Sequence, residues 1–462
     1  MKQYDIAVIG GGPAGYIAAI KGAQLGAEVI LFEKDVLGGT CLNRGCIPTK
    51  TYLKGAEAIH QIRSASGYGI MNDSTITVDM KKAVLHKNSV VKQLTQGVGG
   101  LLKSNRVRVV YGEAQMAGEN TITCGGEVYS ANSIILCGGS KTHRIPIPGI
   151  DDGNVLTSDE ILDLQEVPEK LAIIGGGVIG CEMAAVFSHY GSSVTVIEAE
   201  SRILPQMDAE LSEALSDSFR KQKVEILTSH AVEKITRSGS RSVICCAGGK
   251  AVEADKILLS IGRVSDLNCL GALKDRISQE RGKVIVDEYM KTNIPNIYAA
   301  GDINGKSMLA HSAFKMGEAA AENAMGGHVK CSLKYVPGCV YTLPECAGAG
   351  LTEEAACEKY GSENISVGKF PFSANGRALA SGAPEGFVKV IAEKRYGELL
   401  GVHIFGTDAA EMIAEAVSLM TAEIPADEIA GMIHAHPTYS EAFMEACADS
   451  AGRCMHLPAR GK

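Results

Sequence analysis

The chain has 462 residues, 45% of them hydrophobic and 21% charged, which is the composition of a globular protein large enough for about three domains. Its net charge of −8 argues against general nucleic-acid binding, and no apolar run reaches the roughly 18 residues of a membrane span. The first predicted strand begins at Tyr4, so we expect no signal or transit peptide. Fourteen cysteines are too few for a disulfide scaffold, which favours a cytoplasmic protein with mostly reduced thiols.

The first element is a buried apolar strand that runs into a G-x-G-x-x-G motif formed by Gly10, Gly12 and Gly15. An alanine-rich helix follows, and a second predicted strand ends at Glu33. In this arrangement a pyrophosphate lies at the helix N-terminus, and the acid accepts hydrogen bonds from ribose hydroxyls. The motif, together with its strand, helix and acid, predicts a dinucleotide-binding unit.

Two cysteines come next, in the segment G-G-T-C-L-N-R-G-C-I-P-T-K that ends at Lys50. Pro48 suits the first turn of a helix that starts near Cys46. The positive end of that helix and the Lys50 ammonium both favour the thiolate, which is the reactive form of cysteine. The spacing of Cys41 and Cys46 therefore predicts a redox-active dithiol/disulfide, whereas two structural cysteines beside a turn are the alternative.

This segment resembles the active-site segment of the pyridine nucleotide-disulfide oxidoreductases, and within that family it is most similar to the dihydrolipoamide dehydrogenases. The resemblance extends over essentially the whole chain. It implies an α/β fold with two Rossmann-like dinucleotide-binding domains, for FAD and NAD, and a C-terminal α+β dimerisation domain. The implied boundaries are 1–145 and 269–338 for the two parts of the FAD domain, 146–268 for the NAD domain and 339–462 for the interface domain.

Between the first motif and its later copy, helical periodicity covers 80–103, short strands are expected near 107–111 and 121–124, and a buried strand near 133–139.

A second dinucleotide unit follows, with the glycines Gly175, Gly177 and Gly180 and an acid at Glu198. The distance from the first glycine to the acid is 23 positions in both copies. Two such units in one chain predict two dinucleotide sites, and a degenerate second copy is the alternative. We also expect Gly262, at the end of the strand that closes this unit, to bind the cofactor.

Three observations assign FAD to the first unit and NAD to the second. The dithiol directly follows the first unit, and the segment 292–302 resembles the second FAD motif of the family, in which the residue equivalent to Asp302 binds the ribityl chain. Glu198 would accept hydrogen bonds from a ribose 2′-hydroxyl and repel a 2′-phosphate, which favours NAD over NADP, although Arg202 lies nearby.

Two further site residues follow only from the resemblance. Glu182 matches a glutamate that pairs with Lys50 beside the flavin, and His311 matches a position near the flavin. From the residues alone, the preferred interpretation of Glu182 is a first-turn acid stabilised by the helix dipole. For His311, a histidine at a helix start remains the alternative.

The last part of the chain shows strand-like runs at 386–391 and 399–405, a helix from about 408, and the motif H-A-H-P-T-Y-S-E. His436 and Glu441 in this motif suit a base and its orienting carboxylate, while His434 is interpreted as structural. From the octet alone, a capped helix start with a surface histidine would be preferred. In the family this histidine faces the dithiol of the other subunit, so the resemblance implies a homodimer with shared active sites.

The expected activity is the FAD-dependent oxidation of protein-bound dihydrolipoamide, with hydride transfer to NAD⁺. The expected partners are lipoyl domains of a 2-oxoacid dehydrogenase or glycine cleavage complex. Alternatives are a glutathione- or mercuric-reductase type, disfavoured by Glu198 and by the lone Cys454, and a catalytically silent FAD-binding assembly subunit. No metal-ligand spacing stands out, and Cys245 and Cys246 are expected to be core strand thiols.

Overall fold

The computed structural model describes residues 3–71 and 75–458. The first part of the chain forms β1 (Gln3–Ile9), α1 (Pro13–Gln24), β2 (Val29–Glu33), α2 (Gly39–Arg44), α3 (Cys46–Ser64), α4 (Met80–Ser104), β3 (Arg108–Tyr111), β4 (Ala114–Gly118), β5 (Thr121–Cys124), β6 (Glu127–Leu136) and β7 (Ser140–Thr142). The middle part forms β8 (Val155–Leu156), β9 (Lys170–Ile174), α5 (Val178–Tyr190), β10 (Ser193–Ile197), α6 (Ala209–Lys221), β11 (Glu225–Leu227), β12 (Val232–Ser238), β13 (Arg241–Cys246), β14 (Ala251–Ala254), β15 (Lys256–Leu259) and β16 (Arg263–Ser265).

The chain continues with β17 (Gln279–Glu280), β18 (Lys283–Val284), β19 (Ile297–Ala299) and α7 (Ala310–Ala324). The last part forms β20 (Gly338–Val340), β21 (Glu345–Gly350), α8 (Glu353–Tyr360), β22 (Ile365–Pro371), α9 (Gly376–Ala380), β23 (Phe387–Glu393), β24 (Leu399–Gly406), α10 (Ala409–Thr421), α11 (Ala426–Ile429) and α12 (Glu441–Ser450).

The first sheet has the strand order β3-β2-β1-β6-β5-β4, and β19 pairs with β6. The strands β3, β2, β1, β6 and β19 are parallel neighbours, and β2 is buried along its whole length. A parallel sheet buried on both faces places the ends of β1 and β2 at one edge, where ligands bind in this architecture. Because β19 comes from much later in the chain, this sheet is completed by residues that follow the second unit in the sequence.

The second sheet repeats the arrangement with five parallel strands in the order β11-β10-β9-β15-β8. An antiparallel sheet, β12-β13-β14, shares a hydrophobic core with it. Cys246 lies in that core, as expected, whereas Cys245 on the opposite face of β13 is only half-buried. Successive residues of a strand point to opposite faces, which explains why only one of two adjacent cysteines is in the core.

The C-terminal sheet is antiparallel, in the order β20-β21-β24-β23-β22. The helices α10 and α12 contribute to its core, with Met412, Ile413 and Phe443 buried there. The predicted fold class, two Rossmann-like units and a C-terminal α+β part, is confirmed. Within residues 3–71 and 75–458, no helix combines the length and the apolar character that a membrane crossing requires.

The predicted strand at 133–139 differs from the structure at both ends. β6 begins at Glu127, because residues 127–130 form an antiparallel hairpin with β5 before the strand joins β1. It ends at Leu136, where the chain turns through Gly139, whose φ is +73°. The sequence indicated the buried half of this strand because that half is a continuous apolar run, whereas its exposed half has none.

Candidate active site

The first glycine motif forms a turn that only glycine accommodates. Gly10 has a φ of +106°, and a Cβ atom there would lie 2.1 Å from the carbonyl oxygen of Cys137. A Cβ at Gly15 would lie 1.8 Å from the carbonyl oxygen of Gly10, so the glycine allows α1 to pack directly against the end of β1. Gly12 precedes α1 and provides no side-chain cap, which leaves the helix N-terminus available to an anion.

The acid at the end of β2 is fixed by backbone amides. Glu33 accepts hydrogen bonds from the amides of Gly11 and Asp35, both at 2.7 Å. Burial raises the pKa of Glu33, and the hydrogen bond from the Gly11 amide and the positive charge of Lys34 offset part of that effect. The carboxylate is therefore held beside the glycine turn, where a ribose would lie.

The second unit reproduces this geometry. Gly175 also has a φ of +106°, and a Cβ at Gly180 would lie 2.0 Å from the carbonyl oxygen of Gly175. Glu198 accepts hydrogen bonds from the amides of Gly176 at 2.6 Å and Glu200 at 2.8 Å. Both copies thus carry the same cradle for a dinucleotide.

Arg202, the basic residue near Glu198, is bound elsewhere. Its two terminal nitrogens each lie 2.9 Å from a carboxylate oxygen of Glu354 on α8. This bidentate ion pair fixes the guanidinium against the C-terminal part of the chain.

The two candidate redox cysteines lie on adjacent helices. Cys41 is on the short helix α2, Cys46 is the first residue of α3, and both are half-buried free thiols. The Cys41 thiol donates a hydrogen bond to Cys46, which together with the positive charge of Lys50 lowers the pKa of Cys46 to about 7, against the opposing effect of burial. The same hydrogen bond and burial raise the pKa of Cys41. The structure shows the reduced form of the hypothesised disulfide, with Cys46 favoured as the thiolate.

Lys50 and Glu182 form the ion pair that the resemblance implied. The Lys50 ammonium lies 2.8 Å from each carboxylate oxygen of Glu182, which is buried on α5. Sequence reasoning missed a third member, Tyr341. Its amide donates to Glu182 at 3.1 Å, and its ring centroid lies 4.4 Å from the Lys50 nitrogen. Tyr341 stands in the segment V-Y-T-L-P-E that opens the C-terminal part, but no sequence signal connected it to Lys50.

One continuous cavity of about 2170 Å³ joins the two cradles and the dithiol. Asp302, just after β19, lies at this cavity and accepts a hydrogen bond from the Ser140 hydroxyl at 2.5 Å. Gly180 does not line the cavity. It lies behind the cavity wall, where it packs closely against Gly175. The sequence-derived site residues that line the cavity are Gly10, Gly12, Gly15, Glu33, Cys41, Cys46, Lys50, Gly175, Gly177, Glu182, Glu198, Gly262, Asp302 and His311.

The second candidate pair lies outside this cavity. The Nδ1 atom of His436 lies 2.8 Å from Glu441, whose other carboxylate oxygen accepts the Thr438 amide at 2.8 Å. Burial alone would raise the pKa of Glu441, but these hydrogen bonds outweigh it and lower that pKa. The imidazole is 77% exposed, and a carboxylate on Nδ1 leaves Nε2 as the basic atom. His434, in contrast, is nearly buried and lies 2.8 Å from Glu415.

Residues 4–317 match the family model described as pyridine nucleotide-disulphide oxidoreductase. The chain belongs to this family. Residues 336–447 match the dimerisation domain of the same pyridine nucleotide-disulphide oxidoreductases. Among the described residues we find no group of His, Cys, Asp or Glu side chains that would hold a metal ion.

Several members of the family are similar over nearly their full length. The dihydrolipoyl dehydrogenase of Bacillus subtilis (strain 168) is 40% identical over 458 residues, covering 98% of this chain and 99% of the relative. That of Thermus scotoductus is 41% identical over 465 residues, covering 99% of each. Among solved structures, the HOCl-induced flavoprotein disulfide reductase RclA from Escherichia coli has a TM-score of 0.87 and 29% identity, covering 96% of this chain and 99% of that one.

Family membership gives FAD and NAD(H) as the cofactors, and the two cradles fit them. Each cradle offers a glycine turn, an uncapped helix N-terminus and an amide-held carboxylate, which are the groups that bind a pyrophosphate and a ribose.

Proposed function

We propose that this protein is a dihydrolipoamide dehydrogenase, which oxidises protein-bound dihydrolipoamide to lipoamide and reduces NAD⁺ to NADH. The observation that carries this proposal is the single cavity that contains the dithiol and both dinucleotide cradles. The His436–Glu441 pair supplies the base that thiol oxidation requires. The similarity to dihydrolipoyl dehydrogenases along the whole chain supports the substrate class.

The chemistry follows from thiol–disulfide exchange. His436 takes a proton from one thiol of dihydrolipoamide, and the resulting thiolate attacks the Cys41 sulfur of the oxidised pair. The Cys41–Cys46 bond breaks, so Cys46 leaves as a thiolate and Cys41 carries a mixed disulfide. The second substrate thiol releases its proton to solvent and attacks the substrate sulfur of that mixed disulfide, which releases lipoamide. The proton held by His436 then returns to the departing Cys41 sulfur, so Cys41 becomes a protonated thiol and His436 is again a free base. Bound FAD supplies the acceptor that passes the electron pair from the dithiol to NAD⁺.

The lowered pKa of Cys46 favours two steps of this reaction. A thiol with a lower pKa is a better leaving group when the disulfide breaks, and with a pKa of about 7 it afterwards stays charged in about half of the molecules at neutral pH. Cys41, whose pKa is raised, is the better candidate for the thiol that exchanges with substrate and regains a proton.

We further propose that the protein acts as a homodimer in the cytoplasm and accepts the lipoyl domains of a 2-oxoacid dehydrogenase or glycine cleavage complex. The match of residues 336–447 to a dimerisation domain supports the dimer. Fourteen cysteines in 462 residues are too few for a disulfide scaffold, which suits a reducing compartment. We assign 1–145 and 269–338 to FAD binding, 146–268 to NAD binding and 339–462 to the interface.

The assay that tests the function follows NADH formation from NAD⁺ and dihydrolipoamide by the purified, FAD-loaded protein. We expect rapid turnover that Cys46→Ser abolishes and that the matched control Cys245→Ser leaves intact, because Cys245 lies on β13 outside the cavity. NADP⁺ should be a poor substitute, because Glu198 would repel its 2′-phosphate.

Two results would contradict the proposal. Reduction of another disulfide by NADPH, without dihydrolipoamide turnover, would identify a different member of the family. No turnover with any dithiol from a flavin-replete dimer would identify a silent assembly subunit. A mercuric-reductase type is already disfavoured, because Cys454 donates to Glu445 rather than to a second cysteine, and burial and this contact raise its pKa to about 11.

A further inference from the structure

Three elements meet at the Lys50 ammonium. Lys50 lies on α3 one turn after Cys46, Glu182 lies on α5, and Tyr341 directly follows β20 of the C-terminal sheet. Glu182 holds the ammonium with both oxygens at 2.8 Å, and the Tyr341 ring covers it with a centroid distance of 4.4 Å. The Tyr341 amide also donates to Glu182 at 3.1 Å, so one residue contacts both partners of the ion pair.

The position of the Lys50 ammonium affects the dithiol, because Lys50 and Glu182 have opposite effects on the pKa of Cys46. The positive charge of Lys50 lowers the pKa of Cys46, and the negative charge of Glu182 raises it. A lysine has a flexible four-carbon stem and a rotatable ammonium, so the Glu182 contact alone constrains the direction of this ammonium less than two contacts do. An aromatic face adds a second, directional contact for a cation.

We propose that Tyr341 is a positioning residue whose ring holds the Lys50 ammonium beside Cys41 and Cys46, and thereby favours the thiolate of Cys46. The inference deepens the proposed function and rests on it. It gives the segment that follows β20 a part in the chemistry of the dithiol in the same chain.

Several titratable groups surround this contact. Cys46 is faced by Cys41, Lys50 and Glu182, and Tyr341 by Cys339, Glu182, Glu345 and Glu411. Burial raises the pKa of Tyr341 to about 12 and that of Cys339 to about 11, so both are neutral near pH 7 and the neutral ring makes the contact. Burial also raises the pKa of Glu345 to about 7, so this carboxyl titrates together with Cys46 and needs its own control.

The test measures the pH at which Cys46 becomes a thiolate in the FAD-loaded protein. In a Cys41→Ser background, a Cys46 thiolate beside oxidised flavin gives long-wavelength charge-transfer absorbance without any added reductant. Its pH midpoint is compared among Tyr341, Tyr341→Phe, which keeps the ring, and Tyr341→Leu, which removes it. The same series is repeated with Glu345→Gln to separate the titration of that carboxyl.

The chain offers a matched control in Tyr335→Leu. The Tyr335 ring lies 4.6 Å from the Lys334 nitrogen, so this variant removes a lysine–tyrosine contact of the same kind from the same part of the chain, away from the cavity.

We expect Tyr341→Leu to raise the midpoint by about half a pH unit or more, and Tyr341→Phe and Tyr335→Leu to leave it unchanged. In the Cys41-containing protein, Tyr341→Leu should lower kcat several-fold without changing KM for dihydrolipoamide. An unshifted midpoint in Tyr341→Leu, or an equal shift in Tyr341→Phe, would overturn the inference. If Tyr341→Leu does not fold, Tyr341→Met makes the same comparison.

Failure of the proposed function would look different. A wild-type protein that does not oxidise dihydrolipoamide but still shows a midpoint shift in Tyr341→Leu would retain the positioning role and refute the substrate. A protein that oxidises dihydrolipoamide but shows no midpoint shift in Tyr341→Leu would support the substrate and refute the positioning role of Tyr341.

Discussion

The charge on Cys46 depends on its immediate neighbours. The hydrogen bond from Cys41 and the ammonium of Lys50 stabilise its thiolate, while burial and Glu182 oppose it. The pKa of about 7 is the balance of these effects, so small changes in any neighbour will change the charge of Cys46 at physiological pH.

A pH titration should identify this residue as the charged member of the pair. In the reduced, FAD-loaded protein we expect charge-transfer absorbance to appear as pH rises through about 7, because only the deprotonated sulfur donates to the flavin. Absorbance spectra recorded between pH 5 and about 9 measure the midpoint. Cys46→Ser should abolish the band and Cys41→Ser should keep it. The opposite pattern would show that the two cysteines exchange roles.

At this scale the sequence predicted what is encoded within a few residues. The two glycine turns and the cysteine pair are local, so their residue types and distances along the chain were sufficient. The His436–Glu441 pair is also local, but its residues alone favoured a capped helix start, and only the resemblance to the family indicated a base. The Lys50–Glu182 pair was implied only by resemblance to the family. Tyr341 was not predicted, because its contact with Lys50 exists only after two distant segments fold together.

At the scale of secondary-structure elements, the first cradle depends on close packing of α1 against α7. A Cβ added at Gly317 on α7 would lie 2.2 Å from the carbonyl oxygen of Ala14 in the first turn of α1. The helices can approach this closely only because Gly317 has no side chain, and their contact fixes the helix N-terminus that faces the pyrophosphate site.

Gly317→Ala should therefore lower stability by about 1–3 kcal/mol and weaken the retention of FAD, because α7 must move away from α1. The matched control is Gly97→Ala on α4, an exposed helical position where an added Cβ meets nothing, and this variant should gain about 0.5–1 kcal/mol. Thermal unfolding and the flavin-to-protein ratio after gel filtration measure both effects. Equal stabilisation by the two variants would show that α7 moves without cost.

Elements were predicted best where an apolar pattern is long. The helix α4 and the strands β23 and β24 lie within two residues of their expected bounds. The exposed half of β6 was missed because its pairing with β5, rather than burial, makes it a strand. Lys389 also lies on β23, between apolar residues, and its partners cannot be predicted from the sequence of the strand itself.

At the scale of the whole molecule, Lys389 connects the second unit to the C-terminal sheet. Its side chain is 2% exposed, and its ammonium lies 3.0 Å from Asp208, 2.8 Å from Glu210 and 2.5 Å from Glu353. Asp208 and Glu210 begin α6, whereas Glu353 begins α8, so one buried cation joins two parts of the chain.

Lys389→Met should lower the free energy of unfolding by about 3–5 kcal/mol, because it removes the cation that neutralises the buried carboxylate of Asp208 and the half-buried carboxylates of Glu210 and Glu353. The exposed Lys394→Met on the following turn should change it by less than about 0.5 kcal/mol. Urea unfolding of the FAD-loaded protein measures the difference.

This difference should shrink in acid. Burial would raise the pKa of Asp208, but His403, the Glu353 amide and Lys389 together lower it in the folded protein. A carboxyl with a lowered pKa stabilises the fold above its ordinary pKa of about 4, and this contribution is lost as pH falls toward the folded value. If the free energies of unfolding of the wild type and Lys389→Met differ by the same amount from pH 7 to about pH 3.5, this account is contradicted.

The proposed dimer can be tested by mixing two inactive variants. Co-expressed Cys46→Ser and His436→Gln chains should regain about a quarter of wild-type activity if each site combines the dithiol of one subunit with the histidine of the other. Half of the dimers are then mixed, and each mixed dimer has one intact site. Each variant expressed alone is the control, and no recovery in purified mixed dimers would place both groups in one chain.

The cavity that holds both cradles and the dithiol lies within one chain, and the His436–Glu441 pair lies outside it. In the proposed dimer, the path of electrons from nicotinamide to the dithiol sulfurs would therefore lie within one subunit, whereas the histidine that takes the substrate proton would come from the other subunit. A subunit separated from its partner would still pass electrons from NADH to a small dye, yet it would no longer turn over a lipoyl arm. Dilution would thus change the reaction that the protein catalyses before it changes the fold.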